Sequence, residues 1–206
     1  MILLRVITLP GTAAPPDVSV HRGASVEVWW HDRDAIPEPT RAELLAHWHA
    51  IQEAAARAPV LPVRFGTAVA SVDELRATVA AHEDAWFARL SELRGDVEVI
   101  VHLRLPPVES GTAVAGGADY LRRRVHEAHT REALRTDLRG LLDHLVSEQQ
   151  PLPARGGERL ALRLPAHAVG DVREAITRWA DARSDIAGVS VTGPWPPFSF
   201  TEEVVA

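Results

Sequence analysis

A short segment near the end of the chain constrains the fold more than any other stretch. Residues 193–200 read Gly-Pro-Trp-Pro-Pro-Phe-Ser-Phe, so three prolines lie among three large rings. Proline fixes its own φ at roughly −65° and pushes the preceding residue toward extended backbone, which predicts a stiff, extended arm. Trp195, Phe198 and Phe200 need an apolar surface, because such rings dominate core and interface energetics. We expect this aromatic arm to cover the protein's own sheet, and docking into a polyproline-recognition domain is the alternative.

Composition narrows the possible partners and compartments. The 206 residues are enough for one large or two small domains. The formal charge of −6 opposes binding to phosphate backbones, so we expect no nucleic-acid partner. No apolar run approaches the roughly 20 residues that span a bilayer, and the first residues lack the pattern of a signal peptide, so the sequence predicts a cytoplasmic protein. The absence of cysteine excludes disulfides, thiolate zinc sites and cysteine nucleophiles.

The first half of the chain reads as mixed strands and helices. Strands are predicted at 2–9 and 24–31, with a loop between them, and a short strand at 60–65. Thr40 with Glu43, and Ser71 with Glu74, have the spacing of capping boxes, so each pair should open a helix. The first helix should end near Pro59 and the second near Gly95.

The second half predicts a sheet covered by helices on one face. The clearest strand lies at 96–105, where aliphatic residues alternate, and further strands are predicted at 159–164 and 186–192. Helices are predicted at 118–148 and 168–183, and loops at 106–117 and 149–157. We therefore predict an α+β protein, with an N-terminal α/β domain at 1–95 and a ferredoxin-like domain at 96–206 that carries a long helical insertion and the aromatic arm.

Recognisable catalytic and metal-binding patterns are incomplete in this sequence. Glycines at 111–117 have the spacing of a phosphate loop, but Gly117 and Ala118 stand where lysine and serine or threonine are required. Histidines 126 and 129, like histidines 47 and 49, have the wrong helical spacing to share a metal ion, so surface or capping roles are expected for them. We expect no catalytic residue, no metal site and no cofactor.

One arginine stands out in an apolar stretch. Residues 58–70 contain a single charge, Arg64, and burial of an unpaired guanidinium would cost several kcal/mol. We therefore expect an ion pair, with Glu98 as its candidate if the two strands are neighbours, and the alternative is contact with a ligand or partner. Pro62 indicates an edge strand or a strand start, and Gly66 indicates a positive φ or a close backbone approach.

Three motifs in order resemble the gas vesicle protein F/L family (GvpF/GvpL). They are Leu-Pro-Val-Arg-Phe-Gly-Thr at 61–67, Tyr120-Leu121 with an arginine at 123 or 124, and the aromatic arm, with His47 upstream. The chain departs from the family at Phe198, where tyrosine is usual, and in its first strand, which lacks the usual tyrosine. These departures leave the subgroup, F or L, open.

The resemblance implies a non-enzymatic accessory or minor structural protein of gas vesicles. Such a protein binds the hydrophobic shell protein and other gas vesicle accessory proteins, supports assembly, and lies in the cytoplasm at the vesicle; self-association stays open. It also implies an N-terminal α/β domain followed by a modified ferredoxin-like domain. The alternative is a small-molecule-binding or enzymatic domain with a pocket around Arg64. The candidate partner-binding or structural residues are Arg64, Phe65, Gly66, Tyr120, Trp195, Phe198 and Phe200.

Overall fold

The computed structural model describes residues 1–106, 116–154 and 157–201. They form two compact units, one made of Met1–Asp96 with Pro196–Ala206 and the other of Val97–Trp195. Residues 196–201 therefore belong with the first unit, whereas the sequence predicted them to be part of the domain at 96–206. The physical reason is that the ring of Phe198 packs on Trp48 and the backbone oxygen of Phe200 accepts hydrogen bonds from Arg89, both residues of the first unit.

The first unit is a five-stranded sheet with two helices. The elements are β1 (Ile2–Thr8), β2 (Ser19–Arg22), β3 (Glu27–Asp32), α1 (Arg41–Ala55), β4 (Val60–Pro62), β5 (Ala68–Val69) and α2 (Val72–Glu92). The strand order is β2-β3-β1-β4, and β5 also pairs with β1. Strand β2 falls in the predicted loop, so that prediction is wrong. The predicted N-caps are confirmed, because Thr40 Oγ1 accepts from Glu43 N at 3.3 Å and Ser71 Oγ accepts from Glu74 N at 3.2 Å.

All seven residues of β1 are buried, and they supply two separate cores. Ile2, Leu4 and Ile7 join a cluster with the buried face of α2. Val6 joins the second cluster, with Trp29 and with the buried residues of α1. The strand is interrupted at Arg5, because Leu4 pairs with Trp30 and Val6 with Trp29, which leaves Arg5 as the extra residue of a β-bulge. A bulge redirects side chains locally, and this one turns Arg5 toward α1.

The second unit is a four-stranded sheet with two helices on one face. Its elements are β6 (Asp96–Arg104), α3 (Gly116–Leu142), β7 (Glu148–Leu152), β8 (Gly157–Pro165), α4 (Val169–Asp181) and β9 (Gly188–Trp195). The strand order is β7-β8-β6-β9. The core joins alternate residues of β6 and β8 to the buried faces of both helices; its members include Val99, Val101, Leu103, Leu138, Leu142, Leu160, Leu162, Leu164, Val172 and Ile176.

The structure confirms the α+β class and corrects two boundaries in the second unit. Helix α3 ends at Leu142, six residues before the predicted end at 148, and β7 occupies part of the predicted loop at 149–157. Pro151 is tolerated because β7 is an edge strand. The element order βαββαβ is the order of ferredoxin-like motifs, and assignment to that fold stays a prediction. Among the described residues, no helix is both long and apolar enough to cross a membrane.

Candidate binding cleft

A cleft of about 680 Å³ lies in the first unit, between α1, the segment after β4 and the end of the aromatic arm. We call it the aromatic cleft. Its lining includes Trp48 and Ile51 from α1, Arg64 and Phe65 from the segment after β4, and Phe198 from the arm. This volume falls within the range of roughly 300–1,000 Å³ that is typical of ligand pockets.

Aromatic packing shapes the walls of the aromatic cleft. The rings of Trp48 and Phe198 lie 4.9 Å apart between centroids, with 33° between their planes. His47 and Phe65 meet edge to face at 5.5 Å and 88°. Such pairs contribute about 0.5–1.5 kcal/mol beyond the area they bury. The arm and the segment after β4 are therefore each held to α1 by a ring, and Trp48 and Phe198 both stay partly exposed.

Beneath the cleft lies a polar network of Arg5, His31 and His47. Arg5 is only 2% exposed and donates from Nε to His31 Nδ1 and from Nη1 to His47 Nδ1, both at 3.1 Å. A guanidinium only donates, so each Nδ1 accepts and each imidazole carries its proton on Nε2. His47 Nε2 donates to Val63 O at 2.8 Å, and His31 Nε2 lies 3.6 Å from Asp17 Oδ2.

The network holds both imidazoles in the neutral form. Burial lowers the pKa of His47 most, the adjacent positive charge of Arg5 lowers it further, and the hydrogen bond to Val63 opposes them. Burial and Arg5 likewise lower the pKa of His31, against an opposing contribution from Asp17. The surface or capping role predicted for His47 is therefore wrong, since its side chain is buried and positions the backbone of the segment after β4.

Arg64 is not buried, although the sequence predicted a buried, ion-paired arginine at this position. Its side chain is exposed at the edge of the aromatic cleft, and no carboxylate in the described part of the chain pairs with it. Glu98 lies in β6, which belongs to the other sheet, so the premise of neighbouring strands is wrong. The buried cation is Arg5 instead. Gly66 has the expected positive φ, 87°, and turns the chain after Phe65.

The aromatic arm is extended only as far as Trp195, the last residue of β9. It then forms a single 3₁₀ turn, Phe198–Phe200, in place of the fully extended arm that the prolines predicted. The turn lets Phe198 face Trp48 while Phe200 is buried, only 5% exposed. Its last residue is held from α2, because Arg89 donates from Nε at 3.0 Å and from Nη2 at 2.6 Å to Phe200 O.

Replacing Arg89 by glutamine is expected to lower the free energy of unfolding by about 1–2 kcal/mol, because two charge-assisted hydrogen bonds to Phe200 O are lost at a partly exposed site. Urea denaturation measures this change, and faster amide exchange at 198–201 should accompany it. The control is Arg76→Gln, an exposed arginine on the same helix, which should change stability by less than about 0.5 kcal/mol. Equal stability of the two variants would contradict the role of Arg89.

The structure brings only some of the predicted site residues together. Arg64, Phe65 and Phe198 line the aromatic cleft. Trp195 lies in the second unit, and so does Tyr120, whose backbone is part of α3 and whose side chain lies outside the described residues. The sequence analysis missed the polar network and Trp48. One signal for the network was available, namely a single arginine within the apolar run of β1.

Among the described residues, no group of three or more histidine and carboxylate side chains is arranged to hold a metal ion. The lining of the aromatic cleft offers ring faces, the exposed guanidinium of Arg64 and aliphatic surface.

The fold defines a mixed α+β protein of two units with a cleft in the first. The family model described as gas vesicle synthesis protein GvpL/GvpF matches residues 8–202, and the chain belongs to this family. Gas vesicle protein F2 of Halobacterium salinarum is 26% identical over 169 residues, which cover 81% of this chain and 71% of that protein.

Two crystal structures have the same fold. GvpF from an Anabaena species superposes with a TM-score of 0.76 at 14% identity, covering 97% of this chain and 95% of that one. GvpF from Microcystis aeruginosa gives 0.72 at 12% identity, covering 97% and 98%. At these identities the similarity speaks for the fold alone, while the family match establishes a role related to gas vesicles.

Proposed function

We propose that this protein is a non-enzymatic accessory or minor structural protein of gas vesicles, which binds the hydrophobic shell protein through the aromatic cleft and supports vesicle assembly. It acts in the cytoplasm at the vesicle, together with other gas vesicle accessory proteins. The supporting observation is the partly exposed pair of rings, Trp48 and Phe198, at the wall of the cleft.

The apolar surface of the cleft continues along α1 beyond the core. Ile51 is buried, Trp48 is partly exposed, and Leu44 is 44% exposed, and these residues follow one another at helical spacing. A stripe of this kind places aliphatic and aromatic surface on one face of a helix, where a second apolar segment can pack. A shell subunit with unpolymerised apolar surface risks uncontrolled association, so a soluble partner that covers it is useful.

Phe65 and Gly66 shape this surface without adding an anchor as large as Trp48. Phe65 contacts His47, and the positive φ of Gly66 turns the backbone back toward β5. A Cβ at Gly66 would sit 3.5 Å from Ile36, whose side chain is 52% exposed, so this turn also extends the apolar surface. We assign both residues a structural role in the proposed binding surface.

The second candidate function is small-molecule binding around Arg64. The observation that favours it is an exposed guanidinium at a cleft of suitable volume. Among the described residues that line the cleft, His47 is the candidate for a base, and both its ring nitrogens are engaged, Nδ1 by Arg5 and Nε2 by Val63 O. An Arg64→Gln variant separates the two functions, since it should abolish capture of a small anion while leaving the ring contacts in place.

Replacing Trp48 by serine is expected to reduce recovery of co-expressed shell protein in a pull-down about tenfold or more, because a partly exposed tryptophan is the typical anchor of an interface. The control is Val72→Ser on α2, where the valine is 43% exposed and lies outside the cleft. Far-UV circular dichroism confirms that both variants fold. Full recovery with Trp48→Ser, or no recovery with the unmodified protein, would overturn the proposal. Fractionation of purified vesicles then separates a permanent component from a transient assembly factor.

A further inference from the structure

The second unit carries a basic cleft on the sheet face that its helices leave uncovered. Side chains alternate along a strand, so His102 and Arg104 of β6 point away from the core that Val101 and Leu103 join. Arg159 of β8 also points away from the core, because its neighbour Leu160 is part of the core. These three side chains line a cavity of about 460 Å³, which we call the arginine cleft.

One arginine of this cleft is hydrogen-bonded to a backbone oxygen, and the other lies in the space beside a glycine. Arg159 donates from Nη1 to Pro153 O at 3.2 Å, which orients its guanidinium. Arg104 is exposed, and its guanidinium lies beside Gly188 of β9. A Cβ at position 188 would sit 2.8 Å from Arg104 Nη2. The glycine leaves room for it. In the described part of the chain, no carboxylate pairs with Arg104.

Among the described residues that line the arginine cleft, the single acidic side chain is already engaged. Glu158 is buried, and its Oε2 accepts from Arg135 Nε at 3.2 Å and from Arg135 Nη2 at 2.7 Å. The negative charge of Glu158 is therefore neutralised by Arg135 of α3. Burial lowers the pKa of His102 most, and the positive charge of Arg159 lowers it further.

We propose that the arginine cleft binds a carboxylate on an acidic segment of a partner polypeptide. Two guanidinium groups supply the charge, and a guanidinium fork matches a carboxylate bidentately. The lining also includes Pro153 and Ala154, which offer apolar surface to the methylene groups of a glutamate side chain. Inorganic phosphate has no apolar part to use that surface. This site lies in the second unit and is independent of the proposed contact with the shell protein.

The test follows the imidazole of His102 by NMR while a hexaglutamate peptide is added to the full chain. We expect a saturable shift and a rise in the pKa of His102, because a bound carboxylate offsets the positive charge of Arg159. The chain has a net charge of −6, so a polyglutamate has no general attraction to it and binding reports the cleft. A hexaglutamine peptide should produce no shift.

Variants identify the residues that bind the peptide. Replacing Arg104 and Arg159 together by glutamine should weaken peptide binding about tenfold or more. Arg159→Lys keeps the charge but lacks the guanidinium fork, so its affinity should lie between those of the double variant and the unmodified protein. The control is Arg178→Gln, an exposed arginine on α4. No saturable shift, unchanged binding by the double variant, or displacement of the peptide by an equal concentration of inorganic phosphate would each overturn the proposal.

Discussion

Replacing Arg5 by alanine is expected to lower the free energy of unfolding by about 3–5 kcal/mol. The Arg5 side chain is almost fully buried and donates to Nδ1 of both His31 and His47. Truncation leaves a cavity under the aromatic cleft and removes the donor from the buried Nδ1 of His47 and the partly buried Nδ1 of His31. Urea denaturation followed by tryptophan fluorescence measures the change, because Trp29, which is fully buried in the same unit, reports the loss of this core.

Two further variants separate the causes of the Arg5 effect. Arg5→Met retains most of the side-chain volume while removing the charge and the hydrogen bonds, so it should recover about half of the loss. Arg33→Ala removes an exposed neighbour whose charge repels Arg5, and it should change stability by less than about 0.5 kcal/mol. A loss of less than about 1 kcal/mol for Arg5→Ala would contradict a structural role for the network.

Local signals predicted those elements whose stability depends on local interactions. The alternation at 96–105 predicted β6, and the caps at Thr40 and Ser71 predicted the starts of α1 and α2. Alternation identifies the face of a strand that meets the core, and a cap satisfies backbone N–H groups within three residues. Both features can therefore be read from a short window of sequence.

Two of the three missed strands share a position, because β2 and β7 each lie at the edge of a sheet. An edge strand pairs on one side only and needs no strong apolar pattern, so the five residues of β7, Glu-Gln-Gln-Pro-Leu, read as a loop. Their pairing with β3 and β8 is a tertiary interaction, and the sequence of the strand itself contains little sign of it.

The network of Arg5 was hidden for a similar reason. The sequence drew attention to Arg64 because it is the single charge in an apolar stretch, yet Arg5 has the same property in β1 and is the one that is buried. The difference lies in the bulge between Leu4 and Val6, which turns Arg5 toward His47 on α1. Arg5 and His47 are 42 residues apart in sequence, so a local window does not predict their contact.

Acidification is expected to destabilise the first unit through the same network. Protonating His31 or His47 would place a second positive charge against Arg5, and the folded state lowers the pKa of both imidazoles below the usual 6.5. In the pH range below 6.5 the unfolded chain therefore binds more protons than the folded one, and stability falls as the pH falls. Each histidine contributes at most about 1.4 kcal/mol per pH unit, so the loss between about pH 7.5 and about pH 5.5 has an upper bound of about 3 kcal/mol for the two together.

Urea denaturation across this pH range tests the prediction with matched histidine variants. His31→Gln combined with His47→Gln removes both titrating groups while an amide oxygen can still accept from Arg5, so the stability of this variant should depend much less on pH. His49→Gln, at an exposed position on the same helix, leaves the network intact and should keep the steep pH dependence of the unmodified protein. If the double variant and the unmodified protein lose stability in parallel on acidification, groups other than His31 and His47 cause the loss. The burial of Arg5 between two neutral imidazoles is then not what limits stability in acid.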